Sequence, residues 1–282
     1  MPKHKFIWWI PFAALFLLAC DISLGGIPQA KTGPVETVTI NVPAPAGAAD
    51  LTIAMGGGSL DLTGGAVGLV EGSVQTNVAD WKPTVTTVGA NVVVAQGQGK
   101  SPIADSTNTV NKWALKLGKT PMSLNVKAGA TNGTLNLGGV PLRGLRIEQG
   151  AASTDIKFAA PNPEVMKEMN ISAGASNIAL SGLGNANFET LVFNGGASNY
   201  TLDFGGKLQR NATATVKTGV SNLTIVIPEG VNAKVTLTGG LRAANTEGAW
   251  QKSGDTYTQS GGGPALTVNV EMCLGALHLK NK

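Results

Sequence analysis

Two copies of one pattern lie in the stretch from 169 to 204, which reads MNISAGASNIALSGLGNANFETLVFNGGASNYTLDF. In each copy an alternating apolar run leads to Gly-Ala-Ser-Asn, beginning at Gly174 and at Gly196, and a second alternating run follows. Alternation at period two is typical of β-strands with one buried face. The stretch therefore predicts two short strands in each copy, with a bend of small residues between them.

Five copies of this unit follow one another along the chain. Their glycines are separated by 21, 24, 22 and 23 residues. The glycines are Gly129, Gly150, Gly174, Gly196 and Gly219. Apolar residues lie three positions before and six positions after each of them, for example Val126 and Leu135 around the first. A unit this short cannot bury its inner face alone, whereas stacked units can, and their equivalent strands then pair in parallel. The repeat predicts an all-β fold built as a parallel β-solenoid (β-helix-like), with rungs of about 22 residues.

The small residues of the bend form columns of their own. The third residue after the glycine is asparagine in four copies and Ser153 in the other. The asparagines are Asn132, Asn177, Asn199 and Asn222. Stacked amides can hydrogen-bond from rung to rung, although each asparagine alone also suits an ordinary turn. The shared register favours a ladder, and the Gly-Ala step predicts a bend where a larger side chain would clash with the next rung.

Two other readings compete locally with the strands. Leu142-x-x-Leu145-x-Ile147 imitates a leucine-rich repeat, but a second alternating strand follows it where that family has a helix. Residues 163–169 begin with a proline and predict one or two turns of helix. We therefore expect a β-solenoid with this single short helix.

The N-terminus is typical of an exported lipoprotein. Residues 1–19 have lysines at 3 and 5, an apolar stretch too short to span a membrane, and the end Leu17-Leu18-Ala19 before Cys20. These four residues resemble the bacterial lipobox, which implies a lipid on Cys20 and cleavage before it. The alternative is an ordinary signal peptide with an incidental cysteine. We expect residues 20–35 to be a lipidated tether that holds the protein at the outer face of the cytoplasmic membrane, in the cell envelope.

The remaining chain divides into two predicted regions, an N-terminal β domain of the same style at 36–110 and the β-solenoid repeat domain at 111–282. Residues 56–62 (GGGSLDL), 69–83 (LVEGSVQTNVADWKP) and 94–97 (VAQG) resemble the N-terminal domain of the toast-rack family. Pro161-Asn162-Pro163 and residues 200–206 (YTLDFGG) are similar to the rest of that family and to related surface-adhesin families. The resemblance implies a fold shared with cell-wall-stress regulators and carries no catalytic residues.

Chemistry-bearing residues are few. The 282 residues have a net charge of +4 and only 13% charged residues, which gives no case for a nucleic-acid partner. After removal of the signal and lipidation of Cys20, His278 and Cys273 are the only histidine and free thiol, too few for a catalytic triad or a zinc site. Acids are scattered, although stacking could still pair Asp155 with Asp203, or Glu164 with Glu168. We expect no enzyme activity, metal or cofactor.

The leading hypothesis is a non-catalytic, membrane-anchored surface lipoprotein. Its rigid β-solenoid would present its faces to a protein or glycan of the envelope, as an adhesin-like protein or a scaffold. One alternative is an extracytoplasmic sensor or regulatory subunit of a cell-envelope stress system. A second is a polysaccharide-active β-helix enzyme, which would need two or more acids converging in a cleft.

Overall fold

All regular structure is β-strand apart from two short 3₁₀ helices, in a computed structural model that describes residues 29–98, 103–104, 108–240 and 244–282. The 3₁₀ helices are Ala79–Trp81 and Leu183–Ala186. In this part of the chain, no helix has the length and apolar character needed to cross a membrane. The predicted all-β class is confirmed, while the signal sequence and Cys20 lie outside the described residues.

The first nine strands include the predicted N-terminal domain. They are β1 (Gln29–Ala30), β2 (Thr32–Val42), β3 (Ala49–Gly64), β4 (Val70–Val78), β5 (Pro83–Val88), β6 (Asn91–Gln96), β7 (Ile103–Ala104), β8 (Asn111–Leu117) and β9 (Met122–Asn136). β1 and β7 form a separate two-stranded parallel pair. All the others join one continuous network of pairings.

Eleven further strands complete the described part of the chain. They are β10 (Leu142–Lys157), β11 (Met166–Ala173), β12 (Asn177–Ser181), β13 (Phe188–Gly195), β14 (Ser198–Asp203), β15 (Ala212–Ile227), β16 (Val231–Gly239), β17 (Asn245–Glu247), β18 (Gln251–Ser253), β19 (Thr256–Gln259) and β20 (Gly262–Asn281). We call each repeat unit a rung, with a first half before its glycine and a second half after it. β9, β10 and β15 each run through both halves, whereas β11 with β12 and β13 with β14 divide a rung between two strands.

Successive rungs pair in parallel, and the residues of the sequence columns are direct neighbours. In the first halves the paired series is Leu124, Leu145, Met169, Leu191 and Ala214. In the second halves it is Leu135, Ile156, Leu180, Leu202 and Ile225. Because β10 and β15 are each shared by both halves, the pairings form a closed circuit of six strands through β10, β11, β13, β15, β14 and β12.

The order of strands in space departs from the chain order at both ends of this series. β3 pairs in parallel with β9 on one side and with β6 and β8 on the other. After β15 the chain leaves the series for residues 228–261 and returns as β20, which pairs with β15 over fifteen positions. Beyond these strands the pairing turns antiparallel, in β5 with β6, β2 with β4 and β4 with β8 at one end and in β16 with β19 and β19 with β18 at the other. Antiparallel strands therefore lie at both ends of the parallel series.

Alternation of inward and outward residues builds the core. Val126, Ile147, Ile171 and Phe193 are fully buried or nearly so, and the cluster continues from Ile40 to Leu279. Of the two residues that break the apolar columns, Ala214 is itself fully buried, and Gly182 adopts a left-handed conformation at the start of the second 3₁₀ helix. One hydrophobic core thus runs through both predicted regions.

The helix predicted at 163–169 is wrong, because Met166–Ala173 is a strand. The three-residue spacing between the buried Met166 and Met169 copies a helical spacing, and this misled the prediction. The same spacing separates Phe188 from Leu191 in the next rung, and these residues pair with Met166 and Met169. Pairing with the neighbouring rung therefore overrides the helix-start signal of Pro163.

Candidate functional site

The repeat glycines lie one above another at the bend of each rung. Inward residues lie at odd distances before the glycine, as Val126 does, and at even distances after it, as Leu135 does, so the alternation changes phase there. A Cβ atom on Gly174 would lie 2.6 Å from the carbonyl oxygen of Gly150, and one on Gly196 would lie 2.6 Å from that of Gly174. Such approaches exclude any side chain without movement of the backbone. The glycines therefore let neighbouring rungs stack closely at the bend.

The alanines that follow these glycines are not restricted in the same way. Ala130, Ala151, Ala175 and Ala197 are all exposed. The expected clash of a larger side chain with the next rung therefore falls on the glycine of the Gly-Ala step, and the expectation was wrong for the alanine.

A groove of about 1520 Å³ follows the glycine column. It reaches from Lys112 on β8 and Ser59 on β3, across β9 and β10, to Ser172 on β11 and Asn194 on β13. Backbone of the glycine column lines it over this whole distance, and the outward side chains next to the glycines flank it. We call this feature the glycine groove, and it is the candidate functional site.

The groove has few charges. Its charged lining residues are Lys112, Lys127 and Glu148, and the others are glycines, alanines and uncharged polar or apolar residues. Lys127 Nζ lies 4.0 Å from Glu148 Oε2, and Arg146 Nε donates to Glu148 Oε1 at 2.6 Å. Glu148 therefore faces two cations, and the side chains on the groove wall largely balance one another in charge.

A hydrogen-bond network closes one end of the groove. The amide of Asn111 donates to the carbonyl oxygen of Gly57 at 2.6 Å and to Gln96 Oε1 at 2.9 Å. Gln96 Oε1 also accepts from the backbone N–H of Gly56 at 3.0 Å, and Asn111 Oδ1 accepts from the indole of Trp113 at 2.8 Å. These side chains hold the backbone of the bend in β3 in place of a further glycine rung.

Buried polar side chains lie close to the glycine column. Gln149 Nε2 donates to the hydroxyl of Thr154 at 3.0 Å, and the Ser221 hydroxyl donates to that of Thr218 at 2.8 Å. The Tyr200 hydroxyl donates to the carbonyl oxygen of Gly174 at 3.2 Å. Burial raises the pKa of the Tyr200 phenol above its ordinary value. The bend is thus supported from inside by neutral hydrogen bonds.

The asparagine column is exposed and partly connected. Asn222 Nδ2 donates to Asn199 Oδ1 at 3.0 Å, and Asn199 Nδ2 donates to Asn177 Oδ1 at 3.3 Å. Asn132 lies in the same column but is flanked by Ser59 and Ser153. The structure therefore brings three of the four asparagines together, while Asn132 lines the glycine groove.

The sequence interpretation missed a second set of asparagines, which lies where one rung passes to the next. Asn162 is 1% exposed, and its Oδ1 accepts from the backbone N–H of Leu142 at 3.0 Å and of Glu164 at 3.1 Å. Its Nδ2 donates to the carbonyl oxygens of Leu142 at 2.8 Å and Ala186 at 3.1 Å. Asn162 thereby ties three successive rungs together.

The neighbouring Asn187 extends this set. It has a positive φ of 56°, donates to the carbonyl oxygen of Glu164 at 2.7 Å, and accepts from Arg210 Nε at 2.8 Å. A signal for these residues existed, since Pro161-Asn162-Pro163 and the segment 185–188 (NANF) stood out in the sequence. Neither segment fits the repeat columns, so their shared role could not be inferred.

The acids considered for a catalytic pair do not occupy paired positions. Asp155 pairs with Ala179, whereas Asp203 pairs with Val226, and Asp203 Oδ1 accepts from the backbone N–H of Gly205 at 2.7 Å. Glu168 accepts from the amide of Asn170 at 3.3 Å. Cys273 is an exposed free thiol, and the described ranges contain no group of three or more His, Cys, Asp or Glu that could hold a metal ion.

Comparison with solved structures finds distant likenesses. A provisionally named cell adhesion protein from Clostridium sporogenes is 18% identical over 89% of this chain and 100% of its own, with a TM-score of 0.46. A provisionally named adhesin from Bacteroides fragilis is 11% identical over 90% of this chain and 100% of its own, with a TM-score of 0.44. A provisionally named lipid binding protein from Parabacteroides distasonis is 10% identical over 90% and 99%, with a TM-score of 0.33.

The sequence itself matches a family. No curated protein matches the chain. The profile described as the N-terminal domain of toast_rack, DUF2154, matches residues 30–164 and 160–226, which together make up well over half of the chain. These segments contain the glycine groove and all five repeat glycines. The chain therefore belongs to the toast-rack family.

Proposed function

We propose that the protein is a non-catalytic, membrane-anchored surface lipoprotein that binds a protein or glycan of the cell envelope, in an adhesin-like or scaffolding role. In this proposal the parallel rungs form a β-solenoid with a repeat of about 22 residues. Its N-terminal lipid on Cys20 holds it at the outer face of the cytoplasmic membrane. The observation that carries the proposal is the glycine groove, a continuous polar concavity that crosses several rungs.

Repeat architecture supports a binding role. Each rung contributes the same positions to the surface, so a groove along the stack offers an extended site for a large or linear partner. The hydrogen bonds between rungs and the shared core keep that surface in one shape. A preformed surface loses little conformational entropy on binding, which favours affinity.

Binding is tested with isolated cell envelopes. Asn194→Trp places a large side chain on the groove wall, whereas Asn269→Trp changes an exposed asparagine on an outward strand position that does not line the groove. We expect Asn194→Trp to reduce envelope binding by about tenfold. We expect Asn269→Trp to leave it unchanged. Equal binding by both variants would contradict the role of the groove.

Anchoring is tested at Cys20. Lipidation buries acyl chains in the bilayer, each CH₂ contributing about 0.8 kcal/mol. We expect the wild-type protein in the detergent phase of a membrane extract and the Cys20→Ser variant largely in the aqueous phase. A variant that stays equally membrane-bound would show that the lipobox interpretation is wrong.

The non-catalytic part of the proposal has its own test. The groove carboxylate Glu148 faces Arg146 and Lys127, an arrangement that keeps it ionised and engaged instead of free for proton transfer. We expect no new reducing or unsaturated ends when the protein is incubated with peptidoglycan or pectin-like polysaccharides. Their appearance, and their loss in Glu148→Gln, would overturn it.

A further inference from the structure

We infer that the ligand of the glycine groove is a linear, uncharged glycan that lies along the stack and crosses several rungs. This inference rests on the proposed binding function and names the class of ligand. It starts from the side chains next to the glycines. On the wall before the glycines these include Ser172 and Asn194, and on the wall after them Ser59 and Asn132.

The hydrogen-bonding character of these side chains matches sugar hydroxyls. Hydroxyl and carboxamide groups both donate and accept hydrogen bonds, as sugar hydroxyls do. Asn132 and Asn194 are exposed, and Ser59 and Ser172 are half-buried, so all four can be reached from the groove. The walls therefore provide neutral, two-way hydrogen-bond partners along their length.

Charge points in the same direction. A groove for an anionic polymer would be expected to carry an excess of lysine and arginine. Here Lys127 lies 4.0 Å from Glu148, which is also held by Arg146, so an acid and two bases compensate one another in the middle of the groove. Lys112 lies at the β8 end. An uncharged ligand fits this balance.

The backbone of the bend is not available for strand addition by a peptide. The N–H of Gly174 donates to the carbonyl oxygen of Gln149 at 3.0 Å, and the N–H of Gly196 donates to that of Ala173 at 2.9 Å. An extended peptide that adds to a sheet needs free main-chain groups at an edge. Binding in the groove therefore depends on side chains spaced by the rung distance of about 4.8 Å. Such regular spacing suits a chain of repeating units.

The test compares two double variants. Asn132→Ala with Asn194→Ala removes two asparagines from the groove walls. Asn222→Ala with Asn269→Ala removes two exposed asparagines outside the groove, and Asn222 occupies the same repeat position as Asn132. The full-length protein in detergent is titrated calorimetrically with neutral cello-, xylo- and manno-oligosaccharides, with oligogalacturonate, and with a flexible peptide of Gly, Ser and Asn. Melting temperatures establish that each variant is folded.

We expect at least one neutral oligosaccharide to bind, with an affinity lowered about tenfold by the groove variant and less than about twofold by the control variant. We also expect affinity to be independent of salt, because an uncharged ligand has no ion atmosphere to release. Binding of oligogalacturonate or the peptide alone, or equal losses in both variants, would overturn the inference. If no oligosaccharide binds while Asn194→Trp still abolishes envelope binding, the glycan inference fails and the proposed function stands. If neither binding is seen, both fail.

Discussion

The glycine bend and the asparagine crossing are two solutions to the same problem, which is how to turn a chain in every rung while the rungs stay stacked. At the bend, Gly150 and Gly174 bring backbone against backbone, and a side chain is excluded. At the crossing, Asn162 fills the space and satisfies backbone groups of three rungs with its amide. The first leaves an open groove on the surface, whereas the second seals a corner of the core. A repeat protein can thus place its open surface and its strongest cross-link on different corners.

The largest expected effect breaks the asparagine crossing. Asn162→Ala removes the partner of two backbone N–H groups and two carbonyl groups in a buried site. Each buried group left unsatisfied costs about 1–3 kcal/mol, so we expect the free energy of unfolding to fall by about 3 kcal/mol or more. Chemical denaturation measures this. The half-buried Asn170→Ala is the control, and a similar loss there would contradict the role of Asn162.

The next effect closes the glycine bend. In Gly174→Ala the new Cβ would lie 2.6 Å from the carbonyl oxygen of Gly150, whereas in Gly219→Ala it would lie 3.3 Å from that of Gly196. We expect a loss of about 1–3 kcal/mol for the first and a smaller loss for the second, because overpacking moves the backbone. Ala175→Ser, at an exposed position, should be neutral. Thermal unfolding orders the three variants, and equal losses at both glycines would refute the close-approach argument.

A smaller effect probes the support under the bend. Tyr200→Phe removes a hydrogen bond to the carbonyl oxygen of Gly174 and should cost about 1 kcal/mol at neutral pH. The raised pKa of Tyr200 means that the unfolded chain releases this proton near pH 10.0 while the folded chain retains it. Stability is therefore unaffected below pH 10.0 and falls as the pH rises from there toward the folded-state pKa.

Tyr200→Phe should show a shallower alkaline fall in melting temperature than the wild type, because it lacks this titrating group. The comparison requires melting curves of both proteins across the alkaline range. Curves that run parallel would show that the phenol does not titrate differently in the folded and unfolded states.

The smallest effect concerns the exposed asparagine ladder. Asn199→Ser shortens a side chain that bonds only to Asn177 and Asn222 on the surface. We expect a change within about 0.5 kcal/mol, since water replaces both partners. Set beside Asn162→Ala, this pair measures how much burial changes the worth of the same amide. A loss as large as that of Asn162→Ala would show that the ladder, too, is a structural cross-link.

Part of the candidate site could be predicted from the sequence. The glycine column and Asn132 came from their fixed positions in the repeat. The other groove residues did not, because outward positions such as Ser172 and Asn194 carry no apolar pattern and vary from rung to rung. The end of the groove was also out of reach, since Gln96 and Asn111 meet Gly56 and Gly57 only when β6 and β8 are placed beside β3.

The sequence by itself determined the strands, their inward faces and the positions of the glycines. These properties depend on alternation along a single strand and on steps of 21 to 24 residues, both of which can be read in one dimension. Only the tertiary structure decided that β3 lies between β9 and β6 with β8, and that β20 follows β15 across a long insertion. It also decided that Asn162 is buried and that a groove opens beside the glycines. These features arise from contacts between residues far apart in the chain, whose partners no local pattern specifies.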